Sequence, residues 1–586
     1  SRAEKRLEVE VRFPADDGVP LPDGSRMPGL MGAVEQVIRE HRSTLVFTNS
    51  RRMCERATLL INDAAGELVA YSHHGSLSRE LRAVVEQRLK NGELKAIVAT
   101  NSLELGIDIG ALDRVVLLQT PFSVASALQR IGRAGHQVGA VSRGMLFPTH
   151  ERDVLEAAVM ARAVAEQDIE PCRPVTGALD VLAQVIVAMA GVESWNLDAL
   201  FRFIRTCWPY RELSRRQFNL VVDMLAGRYA ESRLRALSPV LSLDRISDTL
   251  RGTSASLRLL YLSGGTIPDR GYYGLRRADS RAKIGELDEE FVWERRVGQT
   301  FTLGAHAWTI QEITHNDVLV VPGDATRSEA PFWRAEDLAR PFHFSQRIAA
   351  FLERAEKEIE RGGFEEMLER EYALAPEAAE KLARFLKRQR AATGAPLPHR
   401  RHLLVEYTAA EPGSDGVQAV LHTLWGGALN QPFALALAQA WEETHGYRVE
   451  VFANNDCVAL MLPEEIDAQA LLGLVKPERI EALLRKRLEQ SGYFGARFRE
   501  NAGIALQLPR RGFGQRMPLW LNRRRAQKLL HAVMKYPDFP ILAETWRTCL
   551  CDDFDLVSLK HMLQELRDGA IAVSEAFTKQ PSPFAE

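Results

Sequence analysis

The sequence predicts a multidomain α/β plus α chain: a parallel α/β domain, then a winged-helix module, a small β-barrel or sheet, and a mainly helical C-terminal domain. Three observations carry this reading. At 586 residues and 46% hydrophobic the chain is too long for one core, and about three to five domains are expected. Up to about residue 165, short β-branched runs alternate with amphipathic helical patterns, the βαβ rhythm of a parallel sheet covered on both faces. Beyond it the pattern turns helical, then briefly β-rich, then helical again.

In the first region (1–165) the strand runs are Ser43 to Phe47, Glu67 to Tyr71, Lys95 to Ala99, Arg114 to Leu118 and Gly144 to Phe147, with helices such as Met53 to Ile61 and Ser78 to Asn91 between them. Ligands of such sheets bind at the carboxyl ends of the strands. Thr48-Asn49-Ser50-Arg51, His73-His74-Gly75 and Thr100-Asn101-Ser102 fall there. In 166–256, Leu179 to Ala190, Leu197 to Thr206 and Arg215 to Leu225 suit either a winged-helix module or a helical connector. In 257–341, Phe301 to Leu303, Trp308 to Ile313 and Val318 to Val321 suggest a small antiparallel barrel or sheet. The region 342–586 reads as helical, with an α/β patch near 402–462 that includes the strands Leu403 to Tyr407 and Arg448 to Phe452. Gly394-Ala395-Pro396-Leu397-Pro398 marks a subdomain edge.

Composition narrows the function. The net charge of −2 argues against a uniformly basic nucleic-acid coat but allows local tracks, such as the nine Lys/Arg against one acid between Ala496 and Lys528. The six cysteines form no CxxC pair, so neither a zinc site nor a disulfide framework is expected. No run of about 18 apolar residues occurs and SRAEKRLEVEVRF carries no signal-peptide core, so a cytoplasmic location away from membranes is the expectation.

The strongest chemical signal is Gln129-Arg130-Ile131-Gly132-Arg133-Ala134-Gly135-His136, downstream of Ser102-Leu103-Glu104-Leu105-Gly106-Ile107-Asp108-Ile109-Gly110. Two arginines three apart, flanked by glycines that let backbone approach closely, suit a cluster aimed at phosphate oxygens. A guanidinium there can stabilise charge on a transferred phosphoryl group. VFTNSRR, HHGSLSRE, IVATNSLELGIDIG and LQRIGRAGH, in this order, resemble motifs IV, IVa, V and VI of superfamily 2 (DEAD/DEAH-box) ATP-dependent helicases, most closely the Lhr (large helicase-related) family. GTIPDRGYYGL, APFWRAED, FPILAETWR and PSPFA resemble that family's region beyond the motor.

The resemblance implies that 1–165 is a second RecA-like domain of a 3′-to-5′ DNA helicase or translocase. Arg133 becomes its arginine finger, supported by Gln129 and Arg130, with Asp108 near the nucleotide ribose and Gly106 near the phosphate-side backbone. His136 stands where many relatives outside the family carry arginine. Thr48, Ser50, Arg51, His74, Thr100 and Asn101 fall where this motor class grips the backbone of one strand, as a sequence-tolerant translocase requires; for His74 a structural role is an equal alternative. The sequence contains neither GxxxxGK[ST] nor DExH/DExD on an apolar strand. ATP and Mg2+ would therefore be held mainly by a first RecA-like domain, supplied in cis or trans, and this chain alone is expected not to hydrolyse ATP. The ending PSPFAE reads as an internal point of a longer family member.

Among accessory residues, Trp333 is either a displayed base-stacking indole or a core one, and Ile267 either a strand-separating wedge or an anchor beneath its Gly- and Pro-rich turn. Arg270 and Arg276 are phosphate contacts beside that turn. Arg215 and Arg216 either meet DNA or belong to a hinge module. The track Arg497, Arg499, Arg510, Arg511, Arg516, Arg523, Arg524 and Arg525 is either an electrostatic surface or an ordinary solvated face. Expected partners are single-stranded DNA and duplex or hybrid substrates; a stand-alone nucleic-acid-binding or adaptor module and an RNA helicase are the alternatives.

Overall fold

The computed structural model describes residues 7–13, 27–105, 112–135, 141–229, 232–233, 237–267, 272–288, 292, 295–303, 306–314, 317–323, 339–409, 416–489, 491–508 and 519–586. Its first layer is a six-stranded sheet built from β1 (Leu7–Val11), β2 (Thr44–Phe47), β3 (Ala70–His73), β4 (Ala96–Ala99), β5 (Arg114–Leu118) and β6 (Ser142–Phe147), in the order β1-β6-β5-β2-β4-β3. Every pairing is parallel. Side chains of a strand alternate between faces, and the two cores follow that period. Leu45 and Phe47 pack with Ile97, Val115, Leu117 and Ile131 on one face. Val46 packs on the other with Val98, Val116 and Met31, Val34, Ile38 and Ile61 from α1 (Met27–Glu40) and α2 (Arg51–Ala65). The remaining helices of this layer are α3 (Arg79–Lys90), α4 (Val124–Ile131) and α5 (Glu151–Glu166). Ser50, Ser78 and Ser123 each accept a backbone N–H at the start of α2, α3 and α4, which fixes where the loops after the strands end.

The chain divides into two compact units interleaved along the sequence: 1–171, 272–476 and 561–586 form one, 172–271 and 477–560 the other. The second contains α6 (Leu179–Val192), β7 (Trp195–Asn196), α7 (Leu197–Ile204), α8 (Arg215–Leu225), the short pair β8 (Arg228–Tyr229) and β9 (Ser232–Arg233), β10 (Leu241–Asp244), β11 (Thr249–Gly252) and α9 (Ser256–Ser263). β10, β11 and β7 form an antiparallel sheet in that order. Helices Gly492–Ile504 and Pro540–Arg547 pack on α6 in the same unit. There the buried Glu544 accepts the Leu179 N–H at 2.8 Å, satisfying a donor that α6 leaves free at its first turn. Part of the expected continuous region 342–586 thus belongs with the helical module, because its apolar faces complete that core.

In the first unit, β12 (Tyr272–Arg277), β13 (Lys283–Asp288), β14 (Thr300–Leu303), β15 (His306–Ile313) and β16 (Asp317–Pro322) form a sheet in the order β13-β12-β16-β15-β14. Of the small antiparallel barrel or sheet expected at 257–341, the described residues form a five-stranded sheet that is mixed and not wholly antiparallel, since β12 runs parallel to β16. A further sheet, β19-β20-β18-β17-β21, joins β17 (His402–Ala409), β18 (Val417–His422), β19 (Glu450–Ala453), β20 (Val458–Leu462) and β21 (Ala572–Thr578). Gly394 ends the helix Pro376–Thr393 in the left-handed conformation, at the subdomain edge read from sequence.

Candidate nucleotide and nucleic-acid site

Because β2, β3 and β4 are parallel neighbours, the loops after them emerge at one edge of the sheet. Motif by motif, the predicted residues meet there. Thr48 is buried, with its hydroxyl donating to the Ser50 carbonyl at 3.1 Å. Asn49 donates to the Thr120 carbonyl at 2.7 Å and accepts from the Arg130 guanidinium at 3.0 Å. Ser50 caps α2, and Arg51 donates to Ser76 Oγ at 2.5 Å. Thr100 is nearly buried and Asn101 is exposed.

The histidines turn inward. His73 bridges Ser102 Oγ (2.8 Å) and Glu86 (2.9 Å), and burial pulls its pKa below the ordinary value despite that carboxylate. His74, expected among the strand-gripping side chains, is fully buried with Nε2 2.6 Å from Glu55. Its ring has no surface to offer a strand; it holds Glu55, whose second oxygen accepts from Ser72 at 3.1 Å. The loop's backbone is tied elsewhere. Ser78 N–H donates to the Ile284 carbonyl (2.9 Å) and Glu286 N–H to the Ser76 carbonyl (2.6 Å), while Leu77 enters the apolar core of the β12–β16 sheet.

At the end of α4, Arg130 and Arg133 converge on one residue the sequence reading did not single out. Glu104 accepts Arg130 Nε at 2.9 Å and Ser126 Oγ at 2.9 Å through its carboxylate, and Arg133 Nε (2.9 Å) and Nη2 (2.5 Å) through its carbonyl. Its position inside the SLELG segment, facing two arginines, was the available signal. Arg130 is nearly buried, stacks over the Phe47 ring at 5.4 Å, and has its pKa lowered by burial against the pull of Glu104. Arg133 is half-buried and Gln129 exposed. Gly135 has φ +68° and a Cβ there would lie 2.9 Å from the Val141 carbonyl oxygen, so only glycine lets the turn after the arginines close. Gly106, Asp108 and His136 lie outside the described residues.

Of the accessory residues, Ile267 is 89% exposed, the opposite of an anchor beneath its turn. Arg270 and Trp333 lie outside the described residues, as do Arg510, Arg511 and Arg516. Arg276 is bound to Asp317 (2.9 Å) and the Arg281 carbonyl (3.1 Å). Arg215 pairs with Asp198 over Phe201, and Arg216 with Asp538, all within the helical unit and all at its surface. Arg497 is held by Glu500 and Asp553, whereas Arg524 and Arg525 face solvent on the helix Leu519–Val533. Among the described residues no cluster of His, Cys, Asp or Glu could hold a metal, and no helix is long and apolar enough to cross a membrane.

Comparison with known proteins agrees with this geometry. The family model "Helicase conserved C-terminal domain" matches residues 30–137, "Large helicase-related protein, winged helix domain" matches 162–330 and "DEAD/H associated" matches 397–585. The Lhr helicase/uracil glycosylase of Escherichia coli (strain K12) is 39% identical over 96% of this chain and 39% of its own length. The ATP-dependent helicase Lhr-Core of Methanothermobacter thermautotrophicus is 32% identical over 99% of this chain and 68% of its own length. The chain thus spans about two fifths of the first relative and about two thirds of the second. A solved structure of Mycobacterium smegmatis helicase Lhr bound to ssDNA and AMP-PNP superposes with a TM-score of 0.80 at 36% identity, covering 99% of this chain and 70% of that one. The parallel motor-type sheet, the arginine pair at its edge and these matches lead to one conclusion: the chain belongs to the Lhr family of helicases.

Proposed function

We propose that this chain is the strand-tracking half of an ATP-dependent 3′-to-5′ DNA helicase, contributing the arginine finger and most of the single-strand surface. The carrying observation is the convergence of Arg130 and Arg133 on Glu104 at the sheet edge where the Thr48, Ser50, Thr100 and Asn101 loops emerge. These donors suit phosphate oxygens: guanidinium, amide and hydroxyl groups bind them without reading bases. Arg133 would reach the γ-phosphate of ATP, with Arg130 and Gln129 beside it and Gly106 and Asp108 toward the nucleotide. Magnesium, bound through one or two carboxylates together with the phosphates of ATP, would be held mainly by a first RecA-like domain. The ssDNA and AMP-PNP named for the M. smegmatis neighbour support both ligand classes. Ile267 then serves as wedge, with Trp333 and Arg270 as further strand contacts.

The test joins the chain to a RecA-like domain carrying a Walker-type phosphate loop and measures DNA-stimulated ATP hydrolysis. Arg133→Ala should lower turnover by about 10³-fold or more, the usual contribution of an arginine finger. Turnover near wild type would remove Arg133 from the mechanism. Single-strand binding by the chain alone with no gain on joining the domain would favour a stand-alone binding module.

A further inference from the structure

The helix Leu519–Val533 divides into two faces. Ala526, Leu529 and Val533 recur at helical spacing and are buried, where the helix packs on Gly492–Ile504. Arg524, Lys528, His531 and Lys535, spaced by four, three and four residues, are exposed along another side, with Arg525 beside them. Lys535 lies in the turn after the helix, where the Met534 N–H still donates to the Leu530 carbonyl at 2.9 Å, so the helical spacing carries on. A solvated basic face commonly pairs its cations with acids one turn away, as Arg485 does with Glu481 in the same unit. Here that arrangement is missing: from Asn501 to Pro537 the sequence holds eight Lys/Arg and no Asp or Glu. The acids that flank this stretch are taken, Glu500 by Arg497 at 2.7 Å, and Asp538 by Arg216 at 2.8 Å and Tyr229 at 2.5 Å. Among the described residues Arg524, Arg525, Lys528 and Lys535 have no carboxylate partner.

We propose that Arg524, Arg525, Lys528 and Lys535 form an anchoring site for the phosphate backbone of a nucleic-acid duplex; this rests on the strand-tracking function above, whose substrate has a double-stranded part. The stripe rises roughly 16 Å from Arg524 to Lys535 at about 1.5 Å per residue, and over that length a duplex presents about ten phosphates. Unneutralised cations on a rigid helix suit that charge density, and the counterions they release from the phosphates drive binding. A single strand asks for something else, aromatic side chains on which its bases stack. No exposed aromatic side chain accompanies the stripe among the described residues: Tyr536 lies under Lys535 at 5.0 Å and packs T-shaped against Tyr229, also at 5.0 Å. In a duplex the bases are paired inward and the phosphates lie outermost, so cations alone hold it without reading sequence.

The experiment titrates this chain into a fluorescein-labelled blunt hairpin duplex and, in parallel, into labelled oligothymidylate, each over a series of salt concentrations. Arg524→Gln combined with Lys528→Gln should weaken duplex binding about threefold to thirtyfold. The same variant should lower the log–log salt slope for the duplex by about two, with the melting temperature of the protein unchanged and oligothymidylate binding as in the wild type. Exchanging the two cations, Arg524→Lys with Lys528→Arg, should retain duplex binding, because the site uses charge. Unchanged duplex affinity in the glutamine variant would overturn the site and leave the stripe to an acidic protein. Equal loss for duplex and oligothymidylate would also overturn it, since the stripe would then belong to the single-strand path. A wild-type chain that binds oligothymidylate but not the duplex would overturn this site alone; one that binds neither would overturn the strand-tracking function with it.

Discussion

Glu55 is a carboxylate at 1% exposure, and such a charge is tolerated in an α/β layer only when its oxygens are engaged. His74 Nε2 and Ser72 Oγ do this at 2.6 and 3.1 Å. His74 therefore acts on the strand-gripping loop from inside, by fixing where the backbone after β3 turns. Replacing it with alanine removes the ring and takes from Glu55 the hydrogen bond at 2.6 Å, at a cost of about 3 kcal/mol. Urea or thermal unfolding of His74→Ala should show that loss, and Glu55→Gln, which keeps the shape while removing the charge, should be milder. Weakened strand binding by His74→Ala at unchanged stability would restore the histidine to the surface role that its place in HHGSLS suggests. The sequence identifies the segment; which way the ring points depends on Glu55 from α2, a partner that no local pattern announces.

At the scale of elements, short near-continuous apolar runs rich in β-branched residues made the buried strands β2, β4 and β5 legible nearly to the residue, because both faces of the sheet are covered. β3 lies later than its pattern suggests, at Ala70–His73, because the polar Ser72 and His73 are buried on Glu55 and on Ser102 and Glu86 in place of apolar neighbours. β1 and β21 were not legible: each pairs with a strand, β6 or β17, that is remote in sequence. The contact between the 76–78 loop and β13 was equally hidden, since it is made by backbone. Here Gly285 matters, for a Cβ on it would lie 2.1 Å from the Ser76 carbonyl oxygen. Gly285→Val should break the Ser76 and Ser78 hydrogen bonds to β13 and withdraw Leu77 from that sheet's core, costing about 1–3 kcal/mol from overpacking alone. Hydrogen exchange would check this: amides of Ser78 and Glu286 should lose protection first. Unchanged protection at both would mean that the loop and sheet do not depend on this clasp.

Across the first unit, one guanidinium ties together segments that are distant in the chain. Arg340 is fully buried and uses its donors on Ser345 Oγ (2.9 Å), Glu156 (2.5 Å), the Asn455 carbonyl (3.0 Å) and Asp456 (2.5 Å). Arg152, one turn before Glu156 on α5, completes the set by binding Asp456 (2.6 Å) and the Phe584 carbonyl (3.3 Å). Two cations hold the Asp456 carboxyl well below its usual range, whereas burial pushes Glu156 up to about 7 even beside Arg340. The partners of Arg152 and Glu156 are separated from them by up to 432 residues, which is why no spacing rule reveals them. A planar fork with several donors is needed, so lysine is no substitute. Arg340→Met should cost about 3–5 kcal/mol, because it strands buried carboxylates, and Arg340→Lys should recover little of it. Adding Glu156→Gln to Arg340→Met should restore part of the loss by removing one of those charges. Urea midpoints of the chain decide the matter: a double variant less stable than Arg340→Met alone would mean that the network holds these segments by shape and not by charge.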